Sequence, residues 1–284
     1  MNRKYDRVVK FDERSKKFPI RKILSATERK SNHWKCEITL DQGSEGACAG
    51  FGFSHEAAAE PVVISGITNQ AAFDLYYRAR QLDEFTGENY EGTSILGAVK
   101  AAVEKGWYSE YRWAFGEDDL ALAIGYQGPV VLGISWYSGM ENPDPSGLIR
   151  ATGNNLGGHC ILCNGYDVNT NLYRLHNSWG SSWGINGECF ISVADMIKLL
   201  KEDGEACIPL VRKSSNVSLV DFTENECRLL ANFIYDTLQC VYNFSPKRNL
   251  DQDITNNNVI QFYDEVLSLV EIYKKLQAAG FEGK

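Results

Sequence analysis

The chain of 284 residues predicts an α+β protein of two lobes. Two observations carry that prediction. Apolar residues recur with a helical period between residues 48 and 127. From residue 129 to 211 the pattern changes to short β-branched and aromatic runs, broken by Gly, Asn and Asp. Helices first and an antiparallel sheet afterwards make a helical lobe and a sheet lobe with a cleft between them. A third stretch of helical patterning begins after residue 212 and adds a C-terminal helical hairpin.

The elements follow in order. Residues 1–37 are basic and broken up, and are expected to wrap the domain of residues 38–211. CEITL (36–40) has the look of a strand. The Ala-rich run after Cys48 reads as a short buried helix stopped by Pro61. Further helices are expected over 68–85, over 93–106 with Thr93 or Ser94 as cap and Gly106 as stop, and over 117–127. Strands are expected over 129–136, 159–168, 172–179 and 187–193, then a helix over 194–203 and a closing strand over 206–211. In the final part, residues 212–284, Leu230, Phe233, Ile234, Leu238 and Val241 share one helix face behind a capping box, Thr223-x-x-Glu226. Val259, Phe262, Val266 and Val270 mark a second amphipathic helix, a surface for a protein partner.

Composition excludes several function classes. A net charge of −8 offers no electrostatic footprint for nucleic acid and none for an anionic membrane. The N-terminus lacks the apolar core of a signal peptide, and no run approaches the roughly 18 apolar residues of a spanning helix. The expected compartment is the cytoplasm, or a virion if the gene is carried by a phage. The eight cysteines are scattered through apolar patterns, so they are expected as thiols. Cys160 and Cys163 form a CxxC, but a second ligand pair at zinc-finger spacing is missing, and neither metal nor cofactor is expected.

One cysteine stands apart. Gln42, Gly43, Gly46 and Gly50 surround Cys48, which falls at the start of the predicted buried helix. Unpaired N–H groups and the helix dipole favour a thiolate there. Such a nucleophile needs a base, a group to orient the base, and donors for an oxyanion. His159 is the best base, at the point where a glycine-rich loop enters a strand. His33 and His55 are weaker, and His176 alternates with Arg174 and Ser178 in a way that suits a solvated strand face. Asn177 points the other way and precedes two Trp-Gly pairs, an amide and an aromatic wall able to hold an imidazole in one tautomer.

Together, Gln42, Cys48, the run GGHC, and NSWG from Asn177 follow one another in the order of the papain-like cysteine peptidases. The resemblance spans about residues 38–211 and implies a two-lobed papain-like fold and thiol endopeptidase activity on peptides or proteins. By position it implies that Cys48 is the nucleophile, His159 its partner, Asn177 the orienting amide, Gln42 an oxyanion donor and Trp179 the shield of the Asn–His pair. Gly92, in the turn that opens the helix after residue 93, and Gly157 and Gly158, beside the histidine, are implied as substrate-binding or supporting positions. YEGTSILG resembles bacterial and phage members. Glu45 stands where secreted relatives carry a disulfide cysteine, and Ala49 replaces the usual tryptophan. With only 41 residues before Gln42, no pro-segment is expected over the cleft. The same triad would also serve an amide hydrolase or acyl transferase, and a protease fold can serve as a structural or virion interaction protein.

Overall fold

The computed structural model describes residues 5, 7, 13–83 and 91–212. The expected hairpin, with Cys227 and Cys240, lies outside the described residues. Helix α1 (Cys48–Ala58) is buried along its whole length, including its polar residues Ser54, His55 and Glu56. Two glycines let it sit so deep. A Cβ on Gly50 would stand 2.4 Å from the Ala72 carbonyl of α2 (Asn69–Leu82), and one on Gly52 would stand 2.6 Å from Cys160 Sγ. The first admits the neighbouring helix, the second the sheet.

Caps set the other helices. Thr68 Oγ1 accepts from Ala71 N at 3.2 Å to start α2. Ser94 Oγ accepts from Gly97 N at 3.0 Å to start α3 (Ile95–Glu104), and Gly106, left-handed at φ 79°, follows its end. Helix α4 covers Glu117–Tyr126, and α5 (Val193–Lys201) is capped by Ser192.

The strands are β1 (Asn32–His33), β2 (Tyr108–Trp113), β3 (Val130–Tyr137), β4 (Leu148–Ile149), β5 (Asn155–Asp167), β6 (Leu172–His176), β7 (Glu188–Ser192) and β8 (Glu205–Arg212). They form one sheet in the order β2-β8-β3-β5-β6-β7-β4, with β1 paired to β5. All pairs run antiparallel except β4 with β7, which are parallel, so the expected antiparallel sheet is a mixed one. A turn at Asp144–Gly147 precedes β4, and Phe190 N donates to Gly147 O where β4 meets β7.

Strand β5 is covered on both faces. Cys160 and Leu162 pack with α1 and α3, whereas Ile161 and Cys163 pack in a second core with α4 and α5. Alternation thus assigns the two cysteines of the CxxC to different cores. CEITL forms no strand. The chain around it crosses from β5 to α1 and then to the Ser178 loop without a continuous ladder: Trp34 N donates to Asn164 O, Cys36 bridges to Ala59, Leu40 N donates to His55 Nε2 and Gln42 N to Ser178 O. Strand β2, polar and aromatic by turns at the sheet edge, has no single apolar face, and it went unpredicted.

Candidate active site

Cys48 is the first residue of α1, follows Ala47, and is 1 % exposed. With no side chain capping this end, the first-turn N–H groups converge where the thiol sits. The loop before it is fastened across the molecule. Asp41 bridges to Trp179, and Gln42 N donates to Ser178 O at 3.0 Å. The Gln42 side chain is buried, its Nε2 donating to Glu45 O at 2.8 Å and its Oε1 accepting from Ser178 Oγ at 2.6 Å. Gly43 takes φ 63°, the left-handed turn that brings the chain round to α1.

His159 lies in β5 opposite Ile134 of β3, with no exposed surface. The adjoining Cys160 is the residue that Gly52 of α1 touches, so the start of α1 packs on β5 at the histidine. Strand β6 ends at His176, three residues earlier than expected. Asn177 turns out of the ladder, donating its N–H to Gly187 O, and its side chain reaches His159: Nε2 and Oδ1 are 2.9 Å apart. Ser178 N also donates to that Oδ1, at 2.8 Å, which fixes it as the acceptor. His159 Nε2 therefore carries the proton, and Nδ1 is the basic nitrogen.

Aromatic rings enclose the pair. Trp179 stands 4.9 Å from the imidazole at 35°, and Trp136 stands 4.8 Å away at 69°. Trp179 packs edge-on against both Trp136 and Trp183. Tyr5 adds a further edge at 6.2 Å. A hydrogen bond shut off from water in this way is stronger and more rigid than an exposed one.

The fold thus brings together Gln42, His159, Asn177 and Trp179, with Cys48 at the start of the helix whose Gly52 meets Cys160. Gly157, at φ 132°, and Gly158 lead into His159 within β5, which starts four residues earlier than expected. Gly92 is buried beside Thr93. Trp136, Ser178 and Tyr5 were not foreseen. An aromatic ending an apolar strand was the one signal for Trp136; Ser178 lay inside the NSWG run with no role assigned to it, and Tyr5 carried no signal.

His176 is corrected. It is 2 % exposed, not on a solvated face, because β6 lies inside the sheet and α1 covers this end. Its ring lies 4.4 Å from that of the fully buried His55, and its Nδ1 is 3.6 Å from Glu188 Oε1. Burial first, and the neighbouring His176 second, hold the His55 imidazole well below its ordinary value. Burial acts the opposite way on the other thiols. It pushes Cys36 up to about 12 and raises Cys160, Cys163, Cys189 and Cys207 as well.

A model of the papain family of cysteine proteases matches residues 30–202. The chain belongs to that family. Family membership makes it a hydrolase of the cysteine-peptidase class. It is 21 % identical over 215 residues to an uncharacterized peptidase C1-like protein of Acanthamoeba polyphaga mimivirus, covering 60 % of this chain and 67 % of that protein. It is 29 % identical over 119 residues to human cathepsin O, covering 40 % of this chain and 32 % of the relative. The chain thus spans about two thirds of the first relative and about a third of the second. Its fold resembles that of xylellain, a cysteine protease from Xylella fastidiosa, with a TM-score of 0.55 at 19 % identity over 75 % of this chain and 98 % of that structure.

Proposed function

We propose that the chain hydrolyses peptide bonds with Cys48 as nucleophile and His159 as its acid–base partner. The observation that carries this reading is the buried 2.9 Å contact between His159 Nε2 and Asn177 Oδ1. It leaves Nδ1 as the nitrogen that takes the thiol proton. The resting pair is a thiolate and an imidazolium, the thiolate favoured further by the start of α1.

Cys48 Sγ attacks the scissile carbonyl carbon, and the carbonyl oxygen becomes an oxyanion. One hydrogen of Gln42 Nε2 is held by Glu45 O, which leaves the second to donate to that oxygen beside the Cys48 N–H. The imidazolium passes its proton to the leaving amine as the C–N bond breaks, leaving a thioester. His159 then takes a proton from water, the hydroxide attacks the thioester, and the acid product leaves as Cys48 regains its thiolate.

The substrate on this reading is an extended peptide or protein, and cleavage within the chain is the activity assigned. Five free thiols, Cys36, Cys160, Cys163, Cys189 and Cys207, support a reducing compartment, the cytoplasm. Among the described residues no helix is long and apolar enough to cross a membrane. The test is labelling with an epoxysuccinyl thiol-protease inhibitor, followed by mapping of the adduct. The expected adduct is on Cys48, with loss of peptide hydrolysis. Hydrolysis that survives full labelling of Cys48 overturns the reading.

A further inference from the structure

The oxyanion donor and the nucleophile sit on different pieces of chain. Cys48 starts α1, whereas Gln42 belongs to the segment Leu40–Gln42 ahead of it. That segment is sewn to the loop after β6. Gly180 N donates to Leu40 O at 3.1 Å, Asp41 bridges to Trp179, and Gln42 N donates to Ser178 O at 3.0 Å. Asp41 N also donates to Asn69 Oδ1 of α2, at 3.1 Å. Toward α1, Leu40 packs in an apolar cluster with Ala47 and Phe51. Apolar packing has no direction and leaves the segment able to slide along the helix. A hydrogen bond fixes the register. Leu40 N donates to His55 Nε2 at 2.9 Å, and His55 stands in α1 itself, about two turns after Cys48. The Gln42 amide and the Cys48 thiol are thereby held to the same helix.

His55 takes no part in the chemistry described above, yet it occupies a place where an apolar side chain would be cheaper. It has no exposed surface, and burying an imidazole is costly unless it is hydrogen-bonded. Burial, and after it the neighbouring His176, hold the imidazole well below its ordinary value, so the ring stays neutral and Nε2 stays an acceptor. Accepting at Nε2 puts the ring proton on Nδ1. On its other side the ring lies 4.4 Å from that of His176, the residue before Asn177. His55 thus backs both the segment with the oxyanion donor and the strand end that leads to the orienting amide.

We infer that His55 is a positioning residue for the peptidase reaction: its Nε2 holds Leu40 N, so that the Gln42 amide stays aimed at the oxyanion formed at Cys48. This role rests on the assignment of Cys48 and Gln42 above. Its loss should be felt in kcat and hardly in KM, since an oxyanion donor acts chiefly once the carbonyl oxygen has become charged.

The test compares two polar variants of the full-length protein by steady-state kinetics on a fluorogenic peptide. A Gln side chain carries its amide oxygen as many bonds from Cβ as His carries Nε2, and Asn carries its oxygen one bond short of that. His55→Gln should therefore keep kcat close to wild type. His55→Asn should lower kcat by about 10–10²-fold with KM little changed, the loss expected when a catalytic donor is displaced and not removed. In Gln42→Ala protein, adding His55→Asn should lower kcat no further, because the group it positions is gone. Alkylation of Cys48 by iodoacetamide forms no oxyanion, so its rate should be the same in wild type and His55→Asn. Equal kcat for the Gln and Asn variants, a further loss in the Gln42→Ala background, or slowed alkylation of His55→Asn overturns the proposal. If His55→Asn does not fold, His55→Leu, which has no acceptor, replaces it in each comparison. If neither folds, or if His55→Gln does not, His55 holds the whole fold and the proposal is overturned. Failure of the peptidase reading is seen separately, as hydrolysis by wild-type protein whose Cys48 is fully alkylated.

Discussion

Asn177 holds His159 by one buried contact, and the oxygen that makes it is itself fixed by the N–H of Ser178. The amide orients the base without exchanging a proton. Asn177→Ala should therefore lower kcat/KM by about 10–10²-fold, and His159→Ala by about 10³-fold or more, towards the upper range for a lost acid–base group. Steady-state kinetics on one fluorogenic peptide compare them. An Asn177→Ala loss equal to that of His159→Ala would mean that the amide does more than orient.

Thiol chemistry should single out Cys48. Burial raises Cys36, Cys160, Cys163, Cys189 and Cys207, so all five stay protonated at slightly acidic pH. Iodoacetamide at about pH 6 should modify Cys48 at least about tenfold faster than these five, read by peptide mapping. Cys48→Ala should abolish hydrolysis and leave the melting temperature nearly unchanged. Faster labelling of any of the five, or hydrolysis by the Ala variant, would remove Cys48 from its role.

Gln42→Ala should lower kcat by about 10²–10³-fold with KM little changed, the usual loss for one oxyanion donor. Ser178→Ala should act in the same direction but more weakly, because Ser178 Oγ donates to the Gln42 oxygen and so aims the amide from behind. A Gln42→Ala enzyme with wild-type kcat would sink both expectations.

Much of this site was legible because its chemistry is local in sequence. Cys48 at a helix start, His159 entering a strand and Asn177 ahead of Trp-Gly pairs each reveal themselves within a few residues. Periodicity likewise placed α1 to α5 to within three residues at each end. What stayed hidden depends on contacts between distant segments. Gly52 meets Cys160 and Gly133 meets Arg7, and neither glycine differs from a loop glycine until its partner is known. His176 was misread because alternation says which residues share a face, not whether a helix covers that face. The buried pairing of Arg7 with Glu205 was invisible for the same reason: the two are 198 residues apart.

The buried histidine pair yields the last prediction. His55 sits two turns along α1 from Cys48, with its Nε2 accepting from Leu40 N at 2.9 Å, which requires a neutral ring. Around it lie the His176 ring, Glu188 beyond that ring, and Cys36, whose Sγ donates to the His55 carbonyl. The folded-state pKa of His55 lies well below the unfolded value of about 6.5, through burial and then through His176. Its contribution to stability is therefore complete above about pH 6.5 and is lost as the pH falls below that value, because the unfolded chain then takes up a proton that the folded chain refuses. The loss runs at about 1.4 kcal/mol per pH unit while the folded ring stays neutral. Glu188 is a carboxylate that burial pushes up and that the nearby His176 and His33 rings and hydrogen bonds from Asn164 and Arg174 pull down further, so it acts only at lower pH. Melting temperatures measured between pH 7 and pH 5 should fall steeply for the wild type. His55→Gln keeps an acceptor for Leu40 N but cannot ionise, and its curve should be distinctly flatter over that range. Parallel curves for the two proteins would show that His55 is not the group that titrates. A flat wild-type curve would show that the buried pair takes up its proton as readily folded as unfolded.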